Sequence, residues 1–185
     1  MEIKMKLYEK KSLDEQIGKK GLSYKQVGGK LTYVSGIPEM DAILEGKSFL
    51  EVPSIANVLK RENGIEISIM YKFKQYFTAI KNSDLIGISF ENKEQIFQLK
   101  NKSVIGRAIV GGLLLGPVGA VIGGMTGIGD KQVGLNMPDL LLTFKFKNIK
   151  NEDDFLILSS SYKNQKDVND FFVKHFKTFY NIENC

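Results

Sequence analysis

Cysteine is nearly absent. A single residue, Cys185, stands in a chain of 185. One thiol makes no intrachain disulfide and no cysteine-based zinc site, which fits a reducing cytoplasm. Histidine is just as scarce: with His175 alone there is no second imidazole for a zinc site, and no serine stands in a G-x-S-x-G setting. Arginine is confined to Arg61 and Arg107, so lysine supplies almost all of the 26 basic residues. Bidentate grips on guanine and phosphate use arginine, so no specific nucleic-acid partner is expected. A diffuse lysine field with a net charge of +5 suits solubility or attraction to an anionic membrane surface. The opening residues, MEIKMKLYEKKSLDEQ, hold neither an apolar core nor a small-residue cleavage pattern, so no secretion signal is expected.

What is present reads as one globular domain with appendages. The apolar fraction is 43% and the charged fraction 25%, the balance of a chain that buries a core. Ile3, Met5 and Leu7 alternate with charged residues as a short strand or a basic arm. Ser12-Leu13-Asp14-Glu15 has the form of a capping box before a short helix that Gly18 and Gly21 stop. Gly28-Gly29 opens a strand through Leu31 and Tyr33 to a turn at Gly36. Phe49 to Val52 is a strand candidate, and Ile55 to Lys60 reads as a strand or a helical turn. Asn63-Gly64 signals a turn, and Ile65, Ile67, Ile69, Tyr71 and Phe73 then alternate with polar residues. Strands follow over 76–80, 85–90, 96–99, 140–146 and 155–158. The period then lengthens: Val168, Phe172, Phe176 and Phe179 recur at three or four residues, an amphipathic terminal helix over 165–180 with Phe171 and His175 beside its stripe.

Between the strands lies GRAIVGGLLLGPVGAVIGGMTGIGDK. Ala108 to Gly129 carries no charge and eight glycines. Small residues recur four apart at Ala108, Gly112, Gly116, Ala120 and Gly124, and in a second register at Gly119, Gly123 and Gly127. On a helix this is a ridge without side chains, against which another helix packs backbone to backbone. The length would span a bilayer core of about 30 Å at ~1.5 Å per residue. A single crossing, however, would strand the two halves of one barrel on opposite sides of the membrane. Pro117 after Gly116 is a natural break, since proline removes a backbone donor, and it turns the run into a hairpin. Three states fit: a re-entrant or surface-lying hairpin, a hairpin packed on its own domain or on a copy, and an assembly that spans the bilayer only after a conformational change. The first would set Lys100, Lys102, Arg107 and Lys131 at the headgroups.

GGKLTYVSGIPEM, YFTAIKNSDLIGISF, and LLLTFKF followed by the phenylalanine-rich helix together resemble the pleckstrin-homology-like (PH-like) domains of bacteria, some of which carry an insert similar to KSVIGRAIVGGLLLGPVGAVIGGMTG. The resemblance implies a mainly β fold: a small barrel or sandwich of about seven antiparallel strands, bent into two orthogonally packed sheets and capped by the C-terminal helix. It implies a PH-like domain over 28–181 with a glycine-rich hairpin inserted at 104–130, which leaves 1–27 as an N-terminal arm with the short helix read from its capping box. Lipid-binding PH domains hold inositol phosphates with a Lys/Arg-x-Arg cluster between the first two strands. Here residues 30–52 offer only Lys30 and Lys47, so that specificity is not expected.

No catalytic, cofactor-binding or metal-binding residue is expected. Gly119 to Gly124 runs into Met125-Thr126 without the lysine of a phosphate loop, and Gly127-Ile128-Gly129-Asp130 is a fragment of a dinucleotide fingerprint. Asp14-Glu15 and Glu152-Asp153-Asp154 read as solvated carboxylates, and His175 as a packed surface residue. Tyr71, Phe73, Tyr76 and Phe77 read as core. The expected function is a non-enzymatic module at the inner face of the cell membrane, or self-assembled. Its contacts are the ridge Gly112, Gly116, Gly119, Gly123 and Gly127, the break Pro117, and the apolar Leu113, Leu114, Leu115, Val121 and Ile122, with Arg107 and Lys131 as interfacial anchors. The alternative is a soluble protein- or peptide-binding adaptor whose insert packs on its own domain; a small-ligand binder is a third reading.

Overall fold

A computed structural model describes residues 6–20, 26–44, 54–92, 140–148 and 150–179. The described chain is mainly β. Its strands are β1 (Gln26–Ser35), β2 (Ile55–Lys60), β3 (Gly64–Tyr71), β4 (Lys74–Lys81), β5 (Leu85–Asn92), β6 (Leu140–Lys147) and β7 (Asp153–Ser160). They form one antiparallel seven-stranded sheet in the order β4-β3-β2-β1-β7-β6-β5. The two expected halves are therefore continuous through β1 and β7, and the sheet does not close: β4 and β5 are its edges. This is the PH-like sandwich expected above. Asn82-Ser83-Asp84 is the turn that carries the chain from the β4 edge to the β5 edge.

Both edges meet the chain's own terminal segments. The Tyr8 amide donates to the Phe77 carbonyl on β4 at 2.7 Å, and the Ile88 amide on β5 donates to the Phe179 carbonyl at 2.7 Å. An open edge is a template for pairing with other chains, and such stoppers limit it.

The core lies within the bent sheet, built from Leu31, Tyr33, Ala56, Val58, Ile65, Ile67, Ile69, Ile88, Leu142, Phe144, Leu156 and Leu158. The terminal helix (Gln165–Phe176) closes it with Val168, Phe171, Phe172 and Phe176 buried, as the three-four spacing required. Phe172 meets Phe144 edge-on, with ring centroids 5.7 Å apart. Near the helix start Lys30 pairs with Asp167; near its end the Lys60 ammonium donates to the His175 carbonyl at 2.7 Å, a favourable place for a cation.

Several differences from the sequence reading have plain causes. The Gly28-Gly29 pair lies inside β1, at a register shift between Val27 and Leu31, rather than opening it. Gly29 has φ +67°, and a Cβ on Gly28 would lie 2.2 Å from Asn57 Oδ1, so the glycines make a bulge that admits the Asn57 side chain. A short helix α1 (Leu13–Ile17) forms and ends at Gly18 as expected, but the Ser12 hydroxyl donates back to the Glu9 carbonyl instead of capping it. α1 covers the outer face of β3, where a Cβ on Gly64 would lie 2.5 Å from Ile17 Cγ2. Gly64 thus serves close packing beside its turn.

A second helix, α2 (Pro38–Leu44), was not anticipated, although Pro38 at its first position with Glu39 and Asp41 following is a start signal. Its Asp41 accepts from the buried Tyr33 hydroxyl at 2.6 Å, and that hydroxyl accepts from the Ile37 amide at 2.7 Å. Burial first, then the Asp41 charge, pushes the Tyr33 hydroxyl far above the ordinary tyrosine range. The strand candidates at 49–52 and 96–99 lie outside the described residues.

Candidate functional site

Two places in the fold bear on binding. The first is the root of the inserted segment. β5 ends at Asn92 and β6 begins at Leu140, and these two residues are paired across the ladder. Antiparallel partners stand only about 4.5–5.5 Å apart at Cα. All the ridge, break, apolar and anchor residues assigned from the sequence, from Arg107 to Lys131, lie outside the described residues, as do Lys100 and Lys102. Among the described residues no helix is long and apolar enough to cross a membrane.

Beside this root the side chain of Glu91 is largely buried. The Ser89 hydroxyl donates to its Oε1 at 3.3 Å. Burial pushes the Glu91 carboxyl above the usual glutamate value, and the Ser89 hydrogen bond opposes this only in part. A carboxyl raised in the folded state binds its proton more tightly there than in the unfolded chain. Stability therefore falls as pH rises from 4.5, the ordinary glutamate value, through the raised one. Glu91→Gln is expected to remove that decline and leave the protein more stable than wild type at pH 7. Urea midpoints measured from pH 4 to 8 check it; parallel curves for the two proteins would contradict it.

Leu141 and Ile157 are fully buried, yet strand alternation sets them on the face of β6 and β7 away from the core residues Leu140, Leu142, Leu156 and Leu158. Thr143 and Ser159 on that face are buried too.

The second place is the β3–β4 turn. Tyr71 pairs with Lys74, so Lys72 and Phe73 alone make the turn. Both have positive φ, 47° and 63°, the geometry of a type I′ turn that normally uses Asn-Gly. Left-handed backbone costs a side-chain-bearing residue roughly 1–2 kcal/mol. Phe73 is 104% exposed. The expectation that it belongs to a core aromatic face is thereby corrected: Tyr71 is buried, Tyr76 and Phe77 are half-buried, and Phe73 stands in solvent. Alternation could not reveal this, because a two-residue turn preserves the period of two. Behind the tip, Ile55 and Met70 are cross-strand partners on the outer face of the sheet, each more than two-fifths exposed. Lys72 Nζ lies 5.6 Å from the Tyr71 ring and Lys74 Nζ 5.1 Å from the Tyr76 ring.

The residues set aside as unremarkable behave variously. His175 is half-buried, its ring 5.2 Å from Phe171. Asp153 pairs with Lys145 and Lys147 at 2.7 Å each, which holds its carboxyl below the usual range. Among the described residues no group of three or more His, Cys, Asp or Glu side chains is arranged to hold a metal ion.

A family model described as a glycine zipper containing PH domain matches residues 52–153, from just before β2 into the first residue of β7. The chain belongs to this family. The match takes in the paired strands on both sides of the insert as well as the insert itself, so the glycine run is part of what defines these PH domains. Membership points to a binding module. No curated protein and no solved structure matches the chain.

Proposed function

We propose that this glycine-zipper PH domain is a non-enzymatic module that associates with the cytoplasmic face of the membrane, or with copies of itself, through residues 104–130. The observation that carries the reading is the Asn92–Leu140 pair. A segment whose two ends are ladder partners leaves and returns on one side of any boundary, which supports an out-and-back hairpin and argues against a single crossing. Gly116-Pro117 supplies its break, and the small ridge from Gly112 to Gly127 permits its two arms to touch along their backbones. Backbone groups at membrane depth must be paired internally, which a helical hairpin satisfies. Arg107 and Lys131, just outside the uncharged run, are suited to acidic headgroups.

The alternative is an adaptor whose insert packs on its own domain and which takes a protein or peptide partner. The outward apolar pair Leu141 and Ile157, next to Leu140 on β6 and Leu156 on β7, favours this reading, since apolar side chains on the outer face of a sheet call for a cover.

Membrane fractionation of the intact chain beside a version with Ala108–Gly129 replaced by a Gly/Ser linker separates the two. Recovery of the intact chain with membranes in high salt, and of a folded linker version in the supernatant, is expected. Both proteins in the supernatant, with unchanged mass by light scattering, would sink the proposal in favour of the adaptor.

A further inference from the structure

We propose that the β5 edge is a strand-addition site for the β5 strand of a second copy of this chain, paired antiparallel across a two-fold axis, and that the turn at 177–179 holds it shut. This surface lies outside the glycine run and does not depend on it.

The two edges of the sheet are guarded differently. β4 carries Lys74 and Lys81 at its ends. The N-terminal segment is fastened along it by the Tyr8 amide on the Phe77 carbonyl, by the Thr78 hydroxyl on the Lys6 carbonyl at 2.9 Å, and by Lys10 Nζ 5.9 Å from the Phe77 ring. Charge and a paired neighbour are the usual protections of an edge. β5 has neither lysine nor proline, and its residues 85–90, Leu-Ile-Gly-Ile-Ser-Phe, are uncharged. Among the described residues one main-chain hydrogen bond ties this edge to the chain outside the sheet, the Ile88 amide on the Phe179 carbonyl. Ile86 beside it is 43% exposed. An uncharged run of strand-forming residues on a sheet edge is the pattern that pairs with its own kind.

The bond to Phe179 is half of a ladder contact. Because the Ile88 amide points away from β6, its pairing with Phe144 is the non-hydrogen-bonded kind, and the Ile88 carbonyl faces the same outer side. A neighbouring strand exchanges two bonds with such a residue. Phe179 makes only one, since its own amide donates to the Phe176 carbonyl at 2.8 Å. A two-fold axis at Ile88 supplies both, each Ile88 amide donating to the other copy's Ile88 carbonyl. In that register Gly87 stands opposite Ser89 of the second copy, so small residues meet where the backbones approach. Ile86 stands opposite Phe90 of the second copy and Glu91 opposite its Leu85, so an exposed apolar side chain gains an apolar neighbour and no like charges meet. Opening is local: the helix keeps Val168, Phe171, Phe172 and Phe176 on the core while the turn lifts.

The test measures the mass of the full chain by sedimentation equilibrium, in reductant, across protein concentration. Phe179→Pro removes the amide that sets the turn, and a stop after Phe176 removes the turn itself. Each should tighten self-association at least about tenfold, the handicap of a site that is closed most of the time. Ile86→Lys, a charge at an exposed edge position, should cancel that gain and leave the thermal midpoint of its parent unchanged. In the associated form the Ile88 amide should regain protection from hydrogen exchange, with the Ile67 amide unaffected.

Masses equal to wild type at every concentration for Phe179→Pro and for the shortened chain overturn the proposal, as does a gain that Ile86→Lys leaves intact. If the shortened chain loses its helix by circular dichroism, Phe179→Pro alone decides. A monomeric Phe179→Pro chain whose Ile88 amide is protected only on addition of a synthetic peptide of residues 177–185 would assign the edge to the chain's own C-terminal segment, and equally overturn the second copy. The linker version keeps this edge and the glycine run apart. Association that survives there and is lost with Ile86→Lys upholds the β5 edge and sinks self-assembly through the run. Association that vanishes there and ignores Ile86→Lys does the reverse.

Discussion

Arg61→Ala is expected to lower the unfolding free energy by about 3–5 kcal/mol, the usual consequence of breaking a buried ion pair from one side. The Arg61 side chain is 2% exposed and the Glu66 side chain 5%. The guanidinium donates to Glu66 Oε2 from Nε at 2.7 Å and from Nη2 at 2.6 Å, and its Nη1 reaches Asp14 Oδ1 at 2.6 Å and the Gly18 carbonyl at 3.1 Å. One side chain thus joins the end of β2 to β3 and to the end of α1. Without it Glu66 keeps, among the described residues, the ion pair with Lys20 at 3.5 Å, whose side chain is about one third exposed. Two controls apportion the loss. Asp14→Asn should cost below about 1 kcal/mol because Asp14 is more than half exposed. Arg61→Met with Glu66→Leu should recover most of the stability, since an apolar replacement of both partners removes the stranded charge. Urea midpoints measure all three; an Arg61→Ala midpoint close to wild type would mean that water reaches Glu66 and the pair is no clamp.

Neither partner announces this role in the sequence. Lys60-Arg61-Glu62-Asn63-Gly64 looks like a solvated turn, and its charges look interchangeable. What was legible is what local pattern records: all seven β segments, with 55–60 left as a strand or a helical turn, and the terminal helix with its buried stripe, whose residues recur at three and four. Hidden from that reading were features decided by a single backbone angle or by a distant neighbour. The β3–β4 turn carries no glycine or asparagine, so Phe73 reads as one more strand residue until its φ is known. The bulge at Gly28-Gly29 depends on Asn57, on another strand. Helix α2 is seven residues long, too short for a periodic signal, and is pinned by Tyr33 from β1. The family of the chain was legible for a different reason: the glycine run is compositionally unlike any soluble strand or helix around it. Its place between paired residues of β5 and β6 is what connects that composition to topology.

Phe172→Ala is the second large effect, a loss of about 3–5 kcal/mol for deleting a buried phenylalanine from a packed core. Phe172 is fully buried and sits among Phe90, Phe144, Phe171 and Phe176, with ring centroids 5.1–6.4 Å away. A helix of twelve residues has little stability of its own, so its docking and its formation are coupled. The polar fastenings are weaker. Lys30 and Asp167 are both exposed by a third or more, so Lys30→Ala should leave the urea midpoint close to wild type. The consequence reaches the sheet edge, because the Phe179 carbonyl that takes the Ile88 amide follows directly on this helix. Loosening the helix should expose that amide, and hydrogen exchange at Ile88 should speed up more than at Ile67 in the middle of β3, whose opening requires global unfolding. Equal acceleration at both amides would mean that the helix unfolds only with the whole domain, and that the β5 edge is never uncovered on its own. Selective acceleration at Ile88 would show the helix to be the part whose release presents the β5 edge to a partner strand.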